Sequence, residues 1–317
     1  MALQEVTFPS FNKRDTVYGW IYYPVDEPVG IVQVMHGFGE HSRRYLHMIQ
    51  ALTGAGFIVA ADDHVGHGKT AQMNHTSMDT GETGWETYIY DERSLTDIVR
   101  KDHADLPFFV FGHSWGSMIA RAYAAKYASE LAGLMLCGVV EQTPGISADM
   151  ISEVEATVNA DNGEKAIGLD APLFRAFASW NYRYGEGVHP NSWIASYLPV
   201  VLDHAGDPMN NPGATVSGRF ELDFCKLYQF VASDDYAEKL PVDLPVLIVG
   251  GDQDPAGNFG EGTYHLANLM WKHGMRDVRT KLYPGLRHEV HNEPESRGDV
   301  EHELVTFLEG HLPDVEA

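Results

Sequence analysis

The chain has few cysteines and few basic residues, and it lacks a long apolar run. Its two cysteines, Cys137 and Cys225, lie far apart in the sequence. Their spacing matches neither a metal-binding nor a redox motif, so we expect two reduced thiols. The 22 Lys and Arg against 45 Asp and Glu give a formal net charge of −23, which argues against binding to nucleic acid or anionic lipid. No apolar run approaches the roughly 20 residues of a membrane helix, and the N-terminus lacks a secretory pattern. These features predict a soluble, cytoplasmic protein.

Short apolar runs that end in glycine or polar loops alternate with helix-like segments at both ends of the chain. Because such runs are continuous rather than alternating, they predict strands buried on both faces of a mostly parallel sheet, with helices covering both faces. The predicted strands and the loops that follow them lie at 29–37, 57–68, 107–112, 131–140, 244–255 and 278–288. The chain is therefore predicted to be an α/β protein.

The middle of the chain, residues 142–238, interrupts this alternation. It begins at "TPG" and contains helix-like stretches and several Pro, Gly and Asn clusters, with no clear buried strand. We therefore predict a helical cap at 142–238, inserted into an α/β core formed by residues 1–141 and 239–317.

The stretch "GHSWG" at 112–116 follows one of the predicted buried strands and precedes an alanine-rich helix. A serine in this strand–turn–helix context is typical of a nucleophile elbow, in which a sharp turn presents the hydroxyl above the sheet. Side chains at Gly112 and Gly116 would collide with the neighbouring strand and helix. Ser114 is the candidate nucleophile, and the alternative is a purely structural turn.

A serine hydroxyl needs a base, and the base needs a carboxylate that orients it. In a sheet of this type the chain order is serine, then Asp or Glu, then histidine, with the later two on loops after late strands. Asp252 and Asp254 follow the run at 244–251, and His288 follows the next strand. We predict that His288 is the base and that Asp254, rather than Asp252, is the carboxylate. The alternatives are that His288 is a surface histidine and that the two aspartates only form a turn.

Acyl transfer also requires donors for the negative charge that develops on the carbonyl oxygen. From their positions, the predicted donors are the backbone N–H of Trp115, directly after the serine, and that of Phe38 in "HGFGE" at 36–40.

Several of these stretches together resemble the monoacylglycerol lipase group of α/β-hydrolases, which includes lysophospholipase-like esterases. They are "HGFGEHSRRY", "AADDHVGHGKT", "GHSWGS", "GGDQDP" and "GLRHEVHNE", and the resemblance covers about residues 15–140 and 240–312. It implies the α/β-hydrolase fold, a catalytic triad of Ser114, Asp254 and His288, a non-catalytic Asp252, and oxyanion donors at Phe38 and Trp115.

The chain departs from that group at two places. Many relatives have Met where this chain has Trp115, and the larger side chain is expected to narrow the entrance for the acyl group. The insertion also shows no clear sequence similarity to that group. Because the insertion forms the cap that shapes the acyl tunnel in this group, substrate preference stays open.

Further residues are candidates for substrate binding. Glu40 and Arg44 are placed to brace the oxyanion loop, although a solvated surface pair is the alternative. The apolar stretch "SWIASYLPVVL" at 192–202 would line an acyl channel, present an apolar lip to lipid aggregates, or pack the cap onto the core. The predicted substrate-binding residues are Glu40, Arg44, His113, Trp193, Tyr197 and Leu198.

Two histidine-rich stretches, "DDHVGHG" with His64 and His67 and "HEVH" at 288–291, invite comparison with metal sites. Neither has a third ligand at a convincing spacing. We therefore expect no metal and no cofactor.

These observations predict a serine carboxylester hydrolase that cleaves monoacylglycerols or similar single-chain acyl esters through an acyl-enzyme. Its partner would be a small-molecule ester, with at most transient contact with lipid aggregates, and the protein would be a monomer or homodimer. One alternative is a serine aminopeptidase or amidase, which would need a carboxylate cluster such as Glu141, Asp234 and Asp235 to hold a free amine. The other is a non-enzymic ligand-binding protein on the same fold, which would have no use for the three triad groups.

Overall fold

The computed structural model of the chain describes residues 2–161, 166–167, 171–210 and 215–313. Its strands are β1 (Ala2–Pro9), β2 (Thr16–Tyr23), β3 (Gly30–Met35), β4 (Phe57–Asp63), β5 (Phe108–His113), β6 (Gly133–Cys137), β7 (Ala166–Ile167), β8 (Val216–Ser217), β9 (Val246–Gly251) and β10 (Val278–Tyr283). Its helices are α1 (Leu46–Gly54), α2 (Gly68–Asn74), α3 (Glu86–Arg100), α4 (Trp115–Tyr127), α5 (Ala148–Asp161), α6 (Pro172–Ser179), α7 (Leu198–Gly206), α8 (Gly218–Val231), α9 (Asp234–Ala237), α10 (Glu261–Lys272) and α11 (Arg297–Glu309).

A twisted sheet with the strand order β1-β2-β4-β3-β5-β6-β9-β10 forms the centre of the described chain. All pairs from β4 to β10 are parallel, whereas β2 is antiparallel to both β1 and β4. This architecture confirms the predicted mostly parallel α/β sheet. The sequence analysis missed β1 because it is an edge strand with largely exposed residues and therefore has no apolar run.

Helices cover both faces of the sheet, which explains why β3, β4, β5, β6 and β9 are buried throughout. Apolar side chains of α3, α4 and α10 pack on one face, and those of α1 and α11 pack on the other. The carboxyl ends of the parallel strands consequently meet along one edge, where the loops that carry functional groups come together.

The segment between β6 and β9 contains α5 to α9 and the short antiparallel ribbon of β7 and β8. Within it, α8 packs against both α5 and the core helix α4. The division of the chain into a core and a separate cap stays a prediction. Among the residues that the structure describes, every helix is too short or too polar to cross a lipid bilayer.

Candidate active site

Ser114 lies at the turn between β5 and α4, at the carboxyl edge of the sheet. Its backbone has φ 56° and ψ −124°, a region that residues other than glycine rarely adopt. The turn is held because Ser114 N–H donates to the carbonyl of Cys137 at 2.9 Å and Ser117 N–H donates to the carbonyl of Ser114 at 2.8 Å. The neighbouring elements therefore stabilise a strained turn that presents the Ser114 side chain to a cavity.

The two glycines that flank this turn are required by close approach. A Cβ on Gly116 would overlap the backbone carbonyls of Met35 and His36 in and after β3, and a Cβ on Gly112 would lie 2.6 Å from the Cβ of Ala120. The collisions expected from the sequence are therefore present. Only glycine lets α4 begin this close to the sheet.

Asp254 and His288 meet at the ends of β9 and β10. The Nδ1 atom of His288 lies 2.9 Å from Oδ2 of Asp254, and both side chains are buried. The other Asp254 oxygen accepts a hydrogen bond from Ala256 N–H at 2.8 Å. Nε2 of His288 is buried and has no hydrogen-bond partner among the described residues. The carboxylate thus fixes one ring nitrogen and leaves the other free to exchange a proton.

The protonation of His288 reflects two opposing influences. Burial lowers the pKa of His288, but the charge of Asp254 and its hydrogen bond outweigh burial, and the pKa lies above its ordinary value. The imidazolium form is therefore stabilised relative to a histidine in water.

Asp252 has a different position from Asp254. Its Oδ1 accepts a hydrogen bond at 2.7 Å from the backbone N–H of Gly285 in the loop that leads to His288. Asp252 therefore connects the two loops but does not contact the imidazole.

The loop that contains Phe38 is held against the serine by a buried carboxylate. Oε1 of Glu40 accepts hydrogen bonds from Gly37 N–H at 2.6 Å and from the Tyr45 hydroxyl at 2.5 Å. A Cβ on Gly37 would come within 3.1 Å of Ser114 Cβ, so glycine is needed for this approach as well. Phe38 consequently lines the same cavity as Ser114.

The Trp115 side chain does not narrow that cavity, contrary to our expectation. It is buried beneath the turn, where it stacks on His67 with ring centroids 4.9 Å apart and meets the edge of Tyr88 at 4.6 Å. Because α4 starts at Trp115, its side chain points towards α3 and the loop after β4, away from the cavity.

The cavity beside Ser114 has a volume of about 240 Å³ and an apolar, mainly aromatic wall. Polar side chains in the wall are Ser114, Asn191 and His204. The aromatic residues are Phe38, Phe174, Phe177, Trp180, Trp193 and Phe224. The sequence analysis overlooked the contribution of α6, although Phe174 and Phe177, at i and i+3 before Trp180, were a usable signal.

Of the three substrate-binding candidates in the 192–202 stretch, only Trp193 lines the cavity. Tyr197 and Leu198 are 50% and 53% exposed at the start of α7 and do not contribute to the wall. The predicted acyl channel therefore does not extend along this stretch, because the chain turns outward where α7 begins.

Glu40, Arg44 and His113 lie behind the cavity wall, not in it. The Arg44 guanidinium is 4% exposed and pairs with Glu40 at 3.1 Å and Glu289 at 2.9 Å, so the solvated surface pair is excluded. His113 Nδ1 lies 2.8 Å from the Tyr45 hydroxyl. We therefore correct the assignment of Glu40, Arg44 and His113. They do not contact the substrate cavity but support the loop at 36–40, which contains Phe38, and the loop that carries His288.

The His288 loop is also bonded to the segment that precedes α7. Glu289 N–H donates to the carbonyl of Ile194 at 2.7 Å, and the Arg287 guanidinium donates to the carbonyl of Ala195 at 3.0 Å. The Glu293 carboxylate accepts from the backbone N–H groups of Ser196 and, at 3.1 Å, Tyr197. Residues 287–293 and 194–197 therefore form one bonded unit.

The histidine-rich stretches form two buried clusters. His64 Nδ1 lies 3.1 Å from Asp62 and 3.2 Å from Glu92, a third group that α3 supplies from a distant part of the sequence. His291 groups with His113 and Cys137, within 4.8 Å of one another at their potential ligand atoms.

Comparison with known proteins identifies the family. The family model described as "Serine aminopeptidase, S33" matches residues 26–295. The chain is 29% identical to a monoacylglycerol lipase of Mycolicibacterium smegmatis over 92% of each chain. It is 33% identical to a monoglyceride lipase of Mus musculus over 95% of this chain and 89% of the mouse protein.

A solved structure supports the same assignment. A highly thermostable carboxyl esterase from Bacillus coagulans, in complex with glycerol, superimposes with a TM-score of 0.95 and 43% identity, over 99% of this chain and 100% of that chain. The chain therefore belongs to the monoacylglycerol-lipase-like family of α/β-hydrolases and is an enzyme of the carboxylester hydrolase class.

Proposed function

We propose that the protein hydrolyses monoacylglycerols or similar single-chain acyl esters through an acyl-enzyme on Ser114. The observation that carries the proposal is the position of Ser114, on a strained turn at the wall of an aromatic cavity, at the sheet edge that also holds the Asp254–His288 pair. A nucleophile, an oriented base and a place for an apolar chain are thereby supplied within one site.

In the first half of the reaction, Ser114 Oγ attacks the ester carbonyl while Nε2 of His288 accepts the hydroxyl proton. Asp254 holds the imidazole in the tautomer that exposes Nε2 and stabilises the imidazolium that forms. The backbone N–H groups of Phe38 and Trp115 donate to the oxyanion of the tetrahedral intermediate. Its collapse breaks the bond to the alcohol, which leaves with the proton from His288.

In the second half, water attacks the acyl-enzyme, and the same groups repeat their roles. His288 accepts a proton from the water, the oxyanion forms at the same two N–H groups, and Ser114 leaves with the proton from His288. The acid diffuses away, and the enzyme is restored without a redox step or bound cofactor.

The cavity favours an apolar acyl chain over a charged amine. Its described lining contains no acidic side chain, whereas burial of aliphatic groups against aromatic rings contributes about 0.8 kcal/mol for each methylene. The names of the relatives, monoacylglycerol lipase and monoglyceride lipase, agree with a single-chain glycerol ester.

The described residues of the cavity do not favour the aminopeptidase alternative. Glu141 is buried in an ion pair with Arg121 at 2.7 Å, and Asp234 pairs with Lys272 on the surface. Asp235 is exposed on α9, and none of the three acidic residues lines the cavity. None of these three carboxylates is therefore placed to hold a free α-amine in the cavity. A pure binding protein would have no need for the Asp254–His288 pair.

The test is hydrolysis of monoacylglycerols and p-nitrophenyl esters of increasing chain length, with an aminoacyl anilide alongside. We expect ester hydrolysis by the wild type and a loss of roughly 10⁴-fold or more in Ser114→Ala. Ser117→Ala, which removes a buried hydroxyl three residues further along, is the matched control and should retain activity. Labelling by a serine-reactive fluorophosphonate should disappear only in Ser114→Ala. Anilide turnover without ester turnover would favour the aminopeptidase, and activity that survives in Ser114→Ala would refute the mechanism.

A further inference from the structure

A cluster of soft metal ligands lies beside the His288 imidazole. His113, Cys137 and His291 are buried, and one potential ligand atom from each lies within 4.8 Å of the others. We propose that these three side chains bind a Zn²⁺ ion and that the bound ion reversibly inhibits hydrolysis.

One pair of side chains in the cluster has the spacing of tetrahedral zinc ligands, and all three potential ligand atoms lie within 4.8 Å of one another. His113 and Cys137 are register partners on β5 and β6, so their side chains leave the same face of the sheet. Sγ of Cys137 lies 3.6 Å from Nδ1 of His291. With a Zn–S bond of about 2.3 Å and a Zn–N bond of about 2.0 Å, a sulfur and a nitrogen ligand of a tetrahedral zinc lie about 3.5 Å apart. The observed spacing therefore admits zinc without rearrangement of this pair.

His113 has one ring nitrogen without a hydrogen-bond partner among the described residues. Its Nδ1 faces the Tyr45 hydroxyl at 2.8 Å and the Glu40 carboxylate at 3.2 Å, which leaves Nε2. That Nε2 atom is buried and has no hydrogen-bond partner among the described residues. A carboxylate on the remote nitrogen is the arrangement that fixes histidine ligands in metal sites.

Zinc is one of the cations that this donor set suits. Imidazole and thiolate ligands bind Zn²⁺ and copper and disfavour Mg²⁺ and Ca²⁺, which require oxygen ligands. A thiol must lose its proton to become a zinc ligand. Binding therefore breaks the Sγ–H bond, forms the Sγ–Zn bond and releases one proton to solvent, so the affinity should increase with pH.

A cation at this place would act on the base. The ring centroids of His113 and His288 are 4.8 Å apart, so the positive charge would lie next to the imidazole that becomes an imidazolium during acyl transfer. Like charges at this distance in a buried site oppose protonation. The inhibition, but not the binding of zinc, rests on the proposed function of His288.

The other buried cluster, of Asp62, His64 and Glu92, does not call for a metal. Burial lowers the pKa of His64, but the charge of Asp62 and its hydrogen bond, together with those of Glu92, outweigh burial and raise the pKa to about 10. An imidazolium at His64 therefore already balances the charge of Asp62, 3.1 Å away.

Binding is tested on untagged protein with Co²⁺ as a spectroscopic probe and Zn²⁺ in calorimetric titrations. We expect one ion per chain and a thiolate-to-cobalt charge-transfer band in the wild type. Cys137→Ser should lose the band and bind Zn²⁺ at least tenfold more weakly. Cys225→Ser removes the other cysteine, which is equally buried on α8, and should behave as the wild type does. A band that is absent from the wild type, or that persists in Cys137→Ser, would overturn the site.

Inhibition is tested with the same three proteins. Zn²⁺ should inhibit ester hydrolysis by the wild type and by Cys225→Ser, and EDTA should restore it. Cys137→Ser, compared with its own activity in the absence of zinc, should need at least tenfold more Zn²⁺ for half-inhibition. Equal inhibition of all three proteins would place the inhibitory ion elsewhere. A protein with the cobalt band but without esterase activity would retain the metal site and refute the proposed function instead.

Discussion

At the scale of single residues, the contact between Asp254 and His288 decides the pH at which the proposed base can work. A base must be neutral before it accepts the Ser114 proton, so activity disappears as the pH falls through the pKa of His288. Because that pKa lies above its ordinary value of about 6.5, the acid limb of the wild-type profile should have its midpoint above pH 6.5.

Asp254→Asn should therefore alter both the rate and the pH profile. We expect kcat to fall by roughly 10⁴-fold, because an amide does not hold the productive tautomer. The acid limb of the residual activity should move to lower pH, since the carboxylate that raises the pKa of His288 is gone. Asp252→Asn is the control: its amide oxygen can still accept from Gly285 N–H, and the limb should stay in place. Profiles of kcat/KM between pH 5 and 9 measure both effects, and an unshifted limb in Asp254→Asn would contradict the assignment.

The sequence was most informative about single residues where backbone geometry depends on residue type. The glycines around Ser114 were sufficient to predict its turn, and the polar residues after two late strands were sufficient to predict the contact between Asp254 and His288. The grouping of His113, Cys137 and His291 was not predictable, because it depends on strand register and on a loop more than 150 residues away. For the same reason, Glu92 could not be recognised as the partner of His64.

At the scale of elements, α6 and the segment before α7 form much of the cavity wall. Phe177 is central, because its ring lies 4.5 Å from that of Trp180, 5.7 Å from that of Phe38 and 6.1 Å from that of Trp193. The strands of the core could be predicted from continuous apolar runs. The spacing of Phe174 and Phe177 could indicate a helix with an apolar face, but not that this face encloses a cavity, because such a face has the same pattern when it packs against other residues.

Phe177→Ala should shift acyl-chain preference towards longer esters. Removal of the ring enlarges the cavity on the side of α6, so added methylenes gain contacts that the wild type cannot provide. We expect the chain-length optimum of kcat/KM to rise, with the change mainly in KM. Phe230→Ala removes a ring that packs on Trp85, outside the described cavity wall, and should leave the optimum unchanged. A fall in activity of equal size for all chain lengths would show that Phe177 does not set the length.

At the scale of the whole molecule, the excess of acidic residues extends into the interior. Asp223 on α8 is buried, and one of its carboxylate oxygens has no hydrogen-bond partner among the described residues. Burial raises its pKa to about 7, well above the ordinary value for an aspartate. The unfolded chain ionises Asp223 near pH 4, so the folded state should lose stability between about pH 4 and pH 7 and remain at the lower level above that.

Asp223→Asn should remove this part of the pH dependence. At pH 5 the folded wild type already has a neutral carboxyl, so the variant should have a similar melting temperature. At pH 8 the variant should melt a few degrees higher than the wild type, because the amide at position 223 carries no charge that burial would penalise. Asp234→Asn, which removes an exposed carboxylate on α9, is the control and should change little at either pH. Melting curves of the wild type and both variants at pH 5 and pH 8 test this prediction. An equal change in melting temperature for Asp223→Asn at the two pH values would contradict the raised pKa of Asp223.

The bonded unit of residues 194–197 and 287–293 has a consequence for protein engineering. Hybrid enzymes are commonly assembled by transplanting the segment between two strands from one homologue into another. Here a graft of the segment between β6 and β9 would separate the backbone groups of residues 194–197 from the Glu293 carboxylate and the Arg287 guanidinium that bond them. The part of the chain that must be exchanged to transfer specificity is therefore discontinuous in sequence. A functional hybrid must take the loop at 287–293 from the same parent as the grafted segment.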